Sequence, residues 1–525
     1  MTTKRLTFII IFCMMTMLMS RCAQEKYDLV IKNGTVYDGT GSGPYKADIG
    51  ISGGVIKNIG KNISSGKGLE IDAANMIVAP GFIDIHTHCD GQVLDEGMNN
   101  LKNYLMQGVS TVVTGNCGDG TWDVEKFFSQ LEAKGTGTNI VHLAGHNYIR
   151  NKVMGMDDRE PAEAELEEMK KLLRAAMANG AAGMSTGLFY TPGAYSKTSE
   201  IVELAKVVKE FGGFYATHLR DESDYNIGLE EAIKEAVLIG EQSGVRVEIS
   251  HIKALGKPVW GMSDKICRII EDAKRRGITI FADQYPYNAS STGLASAIVP
   301  SWVSAGGMLK ANLTDENKLP GIKKEIEENI ERRGGPESLV IVSYPEDSRF
   351  DGKNLKEISQ MKGMSVVETA IALILEDSPS IISFNMKDSD IATFMQKDYV
   401  MTCSDGHIEV PGDNKPHPRN YGTFTRKIRK YVLEDKLITM EHAIRAATSL
   451  PAEMTGLTNR GSLKEGKIAD IVIFNPANIK DNATFDDPHQ YSAGVQFLLI
   501  SGEVVISEGQ YNGKLAGKPV RIQNQ

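Results

Sequence analysis

An apolar strand followed by an amphipathic helix, repeated eight times between residues 80 and 459, restricts this chain more than any other feature of it. The candidate strands read FIDIHTH, STVVTGNC, IVHLAGH, AAGMSTGLF, GFYATHL, RVEISHIK, TIFADQY and YVMTCSD. Helical stretches such as AEAELEEMKKLLRAAMANG and SEIVELAKVVKEFG separate most of them, with glycine at or just past the helix end, where a helix stops readily. Eight such units predict an α/β fold, a (β/α)8 barrel in which the C-terminal strand ends converge on one mouth. A doubly wound open sheet is the competing arrangement, but no glycine-rich phosphate fingerprint follows the first strand.

The flanks have a different rhythm. After the leader, YDLVIKNGTVYDGTGSGPYKADIGISGGVIKNIG alternates apolar and polar residues between glycine turns, and so do GSLKEGKIADIVIFNP and GVQFLLISGEVVISEGQ near the other end. Neither flank is long enough for a full sandwich. Residues 23–79 and 460–525 are therefore expected to pair into one small β-sandwich domain, leaving 80–459 as the barrel. Between Tyr285 and Tyr399 the chain is far longer than one helix requires. An insertion over about 286–350 is expected after the seventh strand, as a lid over the mouth or as a solvated excursion.

Residues 1–22 place Lys4 and Arg5 before an apolar stretch of signal-peptide length, too short for a comfortable membrane span. The expectation is export, to the periplasm or to a bacterial membrane as a lipoprotein anchored through Cys22. Arg21 stands where a small residue usually precedes such a cysteine. Of six cysteines, Cys13 and Cys22 fall in this leader, and Cys89, Cys117, Cys267 and Cys403 are too few for a disulfide scaffold. The formal net charge of −9, with no long basic run, argues against a nucleic-acid partner held by phosphate attraction.

The residues able to bind metal are not scattered. His86 and His88 end the first strand, Cys117 the second, His218 the fifth, His251 the sixth and Asp405 the eighth. Side chains at i and i+2 of a strand share a face, so His86 and His88 point the same way. Any one of the six would ordinarily be a packed or turn residue; their joint position at one barrel mouth predicts a metal centre. Nitrogen, thiolate and carboxylate donors favour zinc over magnesium or calcium. Cys117, His218 and His251 could hold one zinc with a fourth position open to water, and His86, His88 and Asp405 a second, weaker one. Zinc lowers the pKa of its bound water from about 15.7 to about 7, which supplies hydroxide at neutral pH. Asp405 is placed to take that water's proton and return it to a leaving amine.

The set HTH, GNCG, THLRDE, SHIKA, DQYPY, SDG and HPRNYGTFTR resembles the D-aminoacylase (N-acyl-D-amino-acid deacylase) family of the amidohydrolase superfamily, and the resemblance extends through the closing segment GEVVISEGQYNGKLAGKPVR. It implies zinc-dependent hydrolysis of N-acyl-D-amino acids, with a tight zinc on Cys117, His218 and His251, a weaker site at His86, His88 and Asp405, and Asp405 as acid and base. It also implies that Lys253, Tyr285 and Arg419 grip the substrate's α-carboxylate, a role suited to a guanidinium and an ammonium beside a phenol. Tyr190 is similarly placed to donate to the tetrahedral oxyanion. Many amidohydrolases bridge two metals with a carboxylated lysine from the fourth strand, whereas here that strand runs GMSTGLFYTPG. A cyclic-amide hydrolase of the hydantoinase or dihydroorotase kind would want that lysine. A non-catalytic binding protein on the same barrel would be expected to have lost ligands.

Among the remaining polar residues, His142 and His146 are expected to stay off the metal, and His407, His417, His442 and His489 to be loop or packing residues. Arg220 is expected to brace the site by pairing with Asp221 or Glu222, or else to touch substrate. Cys89 should face the barrel's helices.

Overall fold

The computed structural model describes residues 27–522; the leader and Cys22 lie outside the described residues. Eight parallel strands stand side by side in chain order: β1 (Phe82–Asp84), β2 (Val109–Thr114), β3 (Asn139–Gly145), β4 (Gly183–Gly187), β5 (Phe214–His218), β6 (Arg246–Ile249), β7 (Ile280–Gln284) and β8 (Val400–Thr402). Strands such as β2 and β3 are buried along their whole length, the consequence of a sheet covered on both faces. Past the strand ends, the Asp405 amide donates to the His86 carbonyl at 2.9 Å and the His88 amide to the Gly406 carbonyl at 2.8 Å. These bonds join β8 to β1 and close the barrel.

The crossover helices bury one stripe each. In Glu163–Ala178 the buried residues are Met169, Leu173, Ala176 and Met177, spaced four, three and one apart, so they form a single helix face against the strands. Inside the barrel, Ile83, Val113, Val141, Phe214, Phe281 and Met401 fill the space below the mouth.

Both termini build a separate nine-stranded sheet. The N-terminal strand Leu29–Val36 pairs with Ile77–Pro80, which in turn pairs antiparallel with Ile471–Phe474 from the far end of the chain. The sheet's edge at Val55 folds back to bridge Ile468, so Ile31, Ile49, Ile56, Val78, Ile471 and Leu499 are enclosed within it. The last described residues leave this sheet and return to the barrel: Val520 N–H donates to the Ile140 carbonyl at 2.8 Å, and Val520 and Ile522 pack against the barrel's interior.

The connection from β7 to β8 is a small body in its own right. Its three-stranded antiparallel sheet (Ser290–Gly293, Leu339–Ile341, Ser380–Ser383) backs onto helices Leu319–Arg332 and Val366–Glu376 around Leu294, Ile326, Leu339 and Leu373. This body extends past residue 350, where the sequence reading ended the insertion. Its apolar spacing (Ile322, Ile326, Ile330) serves a core of its own rather than a solvated face.

Candidate metal centre and substrate pocket

The six residues singled out at the strand ends lie together at the C-terminal mouth. His218 is the last residue of β5, while Cys117, His251 and Asp405 sit two or three residues beyond their strands. Those three have φ of 53°, 35° and 50°, a left-handed backbone uncommon for residues with a side chain and concentrated at functional sites. Each such turn takes the chain out of the strand and over the mouth.

The Cys117 sulfur is the hub. It lies 3.5 Å from His86 Nε2, 3.7 Å from His218 Nδ1 and 3.6 Å from His251 Nε2. Zinc bonds of about 2.3 Å to sulfur and about 2.0–2.1 Å to nitrogen, at a tetrahedral angle, require an S–N separation of about 3.6 Å. The donors present therefore fit zinc. On the other side, Asp405 Oδ1 is 3.1 Å from His88 Nε2 and 3.6 Å from His86 Nε2, a second group of donors that shares His86 with the first.

Each imidazole near the sulfur turns its far nitrogen toward a carboxylate. Asp283 Oδ2 is 3.3 Å from His86 Nδ1, Glu222 Oε1 is 3.1 Å from His251 Nδ1, and Glu222 Oε2 is 3.7 Å from His218 Nε2. Asp283 also accepts the His251 backbone N–H at 2.6 Å. Carboxylates behind histidine ligands fix the ring orientation and raise ligand basicity. Burial lowers the pKa of His86 and drives that of His218 well below the ordinary value, which keeps both rings neutral and able to ligate. Burial also pushes the Cys117 thiol well up, so a cation beside it is what would ionise it.

Glu222 and Asp283 were not singled out from the sequence. Both stand inside quoted runs, THLRDE and DQYPY, but a carboxylate that acts through a histidine on another strand leaves no local spacing to read. Arg220 does not pair with Asp221 or Glu222. It forms a two-bond fork on Glu235 at 2.9 Å each, because Asp221 accepts the backbone N–H groups of Ser223, Asn226 and Gly228, and Glu222 holds Lys253. His142 and His146 stay off the cluster, bonded to the Thr121 carbonyl and to Glu200. Cys89 is buried on the helix side of the barrel. His407 is more than a packing residue: it stacks on His88 and lines the mouth.

A cavity of about 410 Å³ opens over the cluster. Lys253, Tyr285, Arg419 and Tyr190 all line it. Lys253 Nζ lies 2.6 Å from Glu222 Oε1, and Arg419 Nη1 donates to Asp405 Oδ2 at 2.7 Å. Burial raises the Asp405 pKa, but Arg419 and the neighbouring histidines outweigh it and hold the carboxyl well below its ordinary range. The Tyr285 hydroxyl and Arg419 Nε, both buried, have no hydrogen-bond partner, an arrangement that natural proteins avoid unless a ligand or water completes it. The guanidinium lies 4.8 Å from the centre of the Tyr285 ring. The Tyr190 hydroxyl is 3.1 Å from Thr292 Oγ1, and its ring is packed beside His218.

A closed parallel barrel with a thiol, imidazoles and a carboxylate gathered at its mouth defines a metal-dependent hydrolase. More narrowly, the chain belongs to the D-aminoacylase family of amidohydrolases. A family model described as "Amidohydrolase family" matches residues 69–291 and 389–506, and the unmatched stretch between them coincides with the inserted body. The chain is 32% identical to a D-aminoacylase of Alcaligenes xylosoxydans xylosoxydans, over 95% of this chain and 99% of that protein. It is also 32% identical to the N-acyl-D-glutamate deacylase of the same organism, over 92% and 95%. The crystal structure of N-acyl-D-glutamate deacylase from Bordetella bronchiseptica, complexed with zinc and a phosphonate mimic of the tetrahedral intermediate, superposes with a TM-score of 0.80 at 31% identity, over 95% of this chain and 100% of that one.

Proposed function

We propose that this protein hydrolyses the amide bond of N-acyl-D-amino acids in a zinc-dependent reaction, releasing a carboxylate and a free D-amino acid. The observation that carries the reading is the presence, in one cavity, of a zinc-compatible donor cluster and a pair of unpartnered donors, Tyr285 Oη and Arg419 Nε, suited to a free carboxylate. The names of the relatives supply the D configuration.

Cys117, His218 and His251 would hold the tighter zinc, and His86, His88 and Asp405 the weaker. When bound, zinc supplies Lewis acidity and a water acidified into the neutral range. The substrate's α-carboxylate is received by Arg419 Nε, the Tyr285 hydroxyl and Lys253, which fixes the acyl carbonyl over the cluster. Arg419 links binding to proton transfer. Its Nη1 holds Asp405 as a carboxylate, and a substrate carboxylate beside the same guanidinium weakens its field, so Asp405 gains proton affinity on binding. Asp405 then takes the proton of the attacking water and delivers it to the leaving nitrogen. The Tyr190 hydroxyl donates to the developing oxyanion. In this reading the charged and apolar leader sends the activity out of the bacterial cytoplasm. The cyclic-amide alternative finds no support at β4, whose residues Gly183–Gly187 include no lysine.

Chelation should abolish hydrolysis of N-acetyl-D-amino acids and zinc should restore it, with the L-enantiomers and hydantoins turned over at least a hundredfold more slowly. Turnover that survives complete metal removal, or a preference for hydantoins, would refute the assignment.

A further inference from the structure

Three cations line the cavity, and two of them have a carboxylate partner. Lys253 is held by Glu222 and Arg419 by Asp405. The third, Arg333, is contributed by the inserted body, where it caps the C-terminal end of helix Leu319–Arg332 before the turn at Gly334 and Gly335. It is 2% exposed. Its Nε donates to the Tyr225 hydroxyl at 2.7 Å and to the Ala297 carbonyl at 3.2 Å, while Nη1 is buried without a hydrogen-bond partner. Among the described residues Arg333 forms no ion pair, whereas its neighbour Arg332 bonds Asp224.

A buried guanidinium with no counter-charge is costly. The ring of Tyr225 at 5.8 Å and the helix's C-terminal carbonyls offset only part of that cost. Of the acidic groups of the cavity, Glu222 and Asp405 are engaged as above, and among the described residues Asp119 forms no ion pair with Arg333. The same cavity is also lined by small hydroxyl residues, Ser290, Ser291, Ser296 and Ser380, which can donate hydrogen bonds and carry no competing charge. A planar fork with a free N–H, in the wall of a hydroxyl-bearing cavity that receives the substrate, is the arrangement that reads a carboxylate.

We infer that Arg333 is a specificity residue that binds a second carboxylate of the substrate, one not attached to the reacting centre. The inference rests on the deacylase reading and narrows it, because it selects N-acyl-D-amino acids that carry an additional acid. That acid sits either on the amino-acid side chain, as in D-glutamate or D-aspartate, or at the far end of the acyl group. A residue that merely braced Tyr225 and the Ala297 carbonyl would not discriminate between a carboxylate and its amide isostere.

The test is a ratio. For the zinc-loaded wild-type protein, kcat/KM for N-acetyl-D-glutamate over N-acetyl-D-glutamine, and for N-succinyl-D-leucine over N-acetyl-D-leucine, is expected to exceed ten in one of the two pairs. Which pair shows it locates the acid on the side chain or on the acyl group. Arg333→Met should cut that ratio at least tenfold, chiefly through KM, and Arg333→Lys should restore part of it. Zinc content and the thermal transition report whether each variant folds, and the wild-type ratios stand without any variant. Ratios near one in both pairs, with the neutral substrates turned over, overturn the inference alone. Ratios that Arg333→Met leaves unchanged do the same. Absence of turnover with every N-acyl-D substrate overturns the deacylase reading and the inference with it.

Discussion

Lys427 shows how strongly one residue can feel its surroundings. Its side chain is buried among Phe82, Phe424 and Ile428, and among the described residues its ammonium donates only to the Thr402 hydroxyl, at 2.8 Å. Burial lowers its pKa to about 7, while Cys403 works weakly in the opposite direction. In the unfolded chain a lysine keeps its proton to about pH 10.4. Between those values the unfolded state binds more protons than the native one, so this site's contribution to stability rises with pH from about 7 to about 10 and is least below 7. Lys427→Met is expected to stabilise the protein by about 1–3 kcal/mol at pH 6 and by less at pH 9. Urea denaturation at the two pH values checks this, and a gain independent of pH would show that the lysine does not titrate in this window. Nothing in the run FTRKIRK distinguishes Lys427 from its solvated neighbours. Its burial is settled by β1 and β8 packing on the helix that carries it.

At the scale of the element, the loop GNCG after β2 determines whether the hub sulfur reaches the imidazoles. Gly118 has φ +87°, and a Cβ built there would lie 2.3 Å from Asn147 Oδ1 and 2.9 Å from the Gly187 amide nitrogen. Asn147 is not free to move, since its amide group also donates to the carbonyls of Gly187 and Tyr190. Gly118→Ala should therefore shift the loop that presents Cys117 and cost about 2–4 kcal/mol. The expected result is zinc affinity reduced at least tenfold, measured by competition with a chromophoric chelator, alongside a lowered thermal transition. Unaltered zinc affinity would mean that the loop adapts without moving Cys117. The strands themselves were legible: six of the eight barrel strands fall within the runs read from the sequence, and β2 and β3 begin one residue before theirs, because strands covered on both faces are rich in apolar residues. The inserted body was legible only in part. Its helix Leu319–Arg332 reads as charged and surface-like, and only its packing against Leu294 and Leu373 reveals a second core.

For the whole molecule, the last described residues support the barrel from below. Residues 517–522 bond to Thr136, Ile140 and Gly180, and Val520 and Ile522 close the barrel's interior at the end opposite the cavity. Truncation after Lys514 is expected to cost about 2–4 kcal/mol through lost burial and backbone bonds. Calorimetry should show a lower melting temperature, while zinc content per folded molecule is retained; an unchanged transition would mean the tail is only laid on the surface. The sequence by itself determined the eight-unit barrel, the pairing of both termini and the placing of six side chains of metal-binding chemistry near the strand ends, because periodicity and residue chemistry are local properties of a chain. Only the tertiary structure decided that Glu222 and Asp283 stand behind the histidines, that Arg220 turns away to Glu235, and that Arg333 faces the cavity without a counter-charge. Those relations join residues that are distant along the chain, and they exist only once strands from opposite sides of the barrel have closed on one mouth.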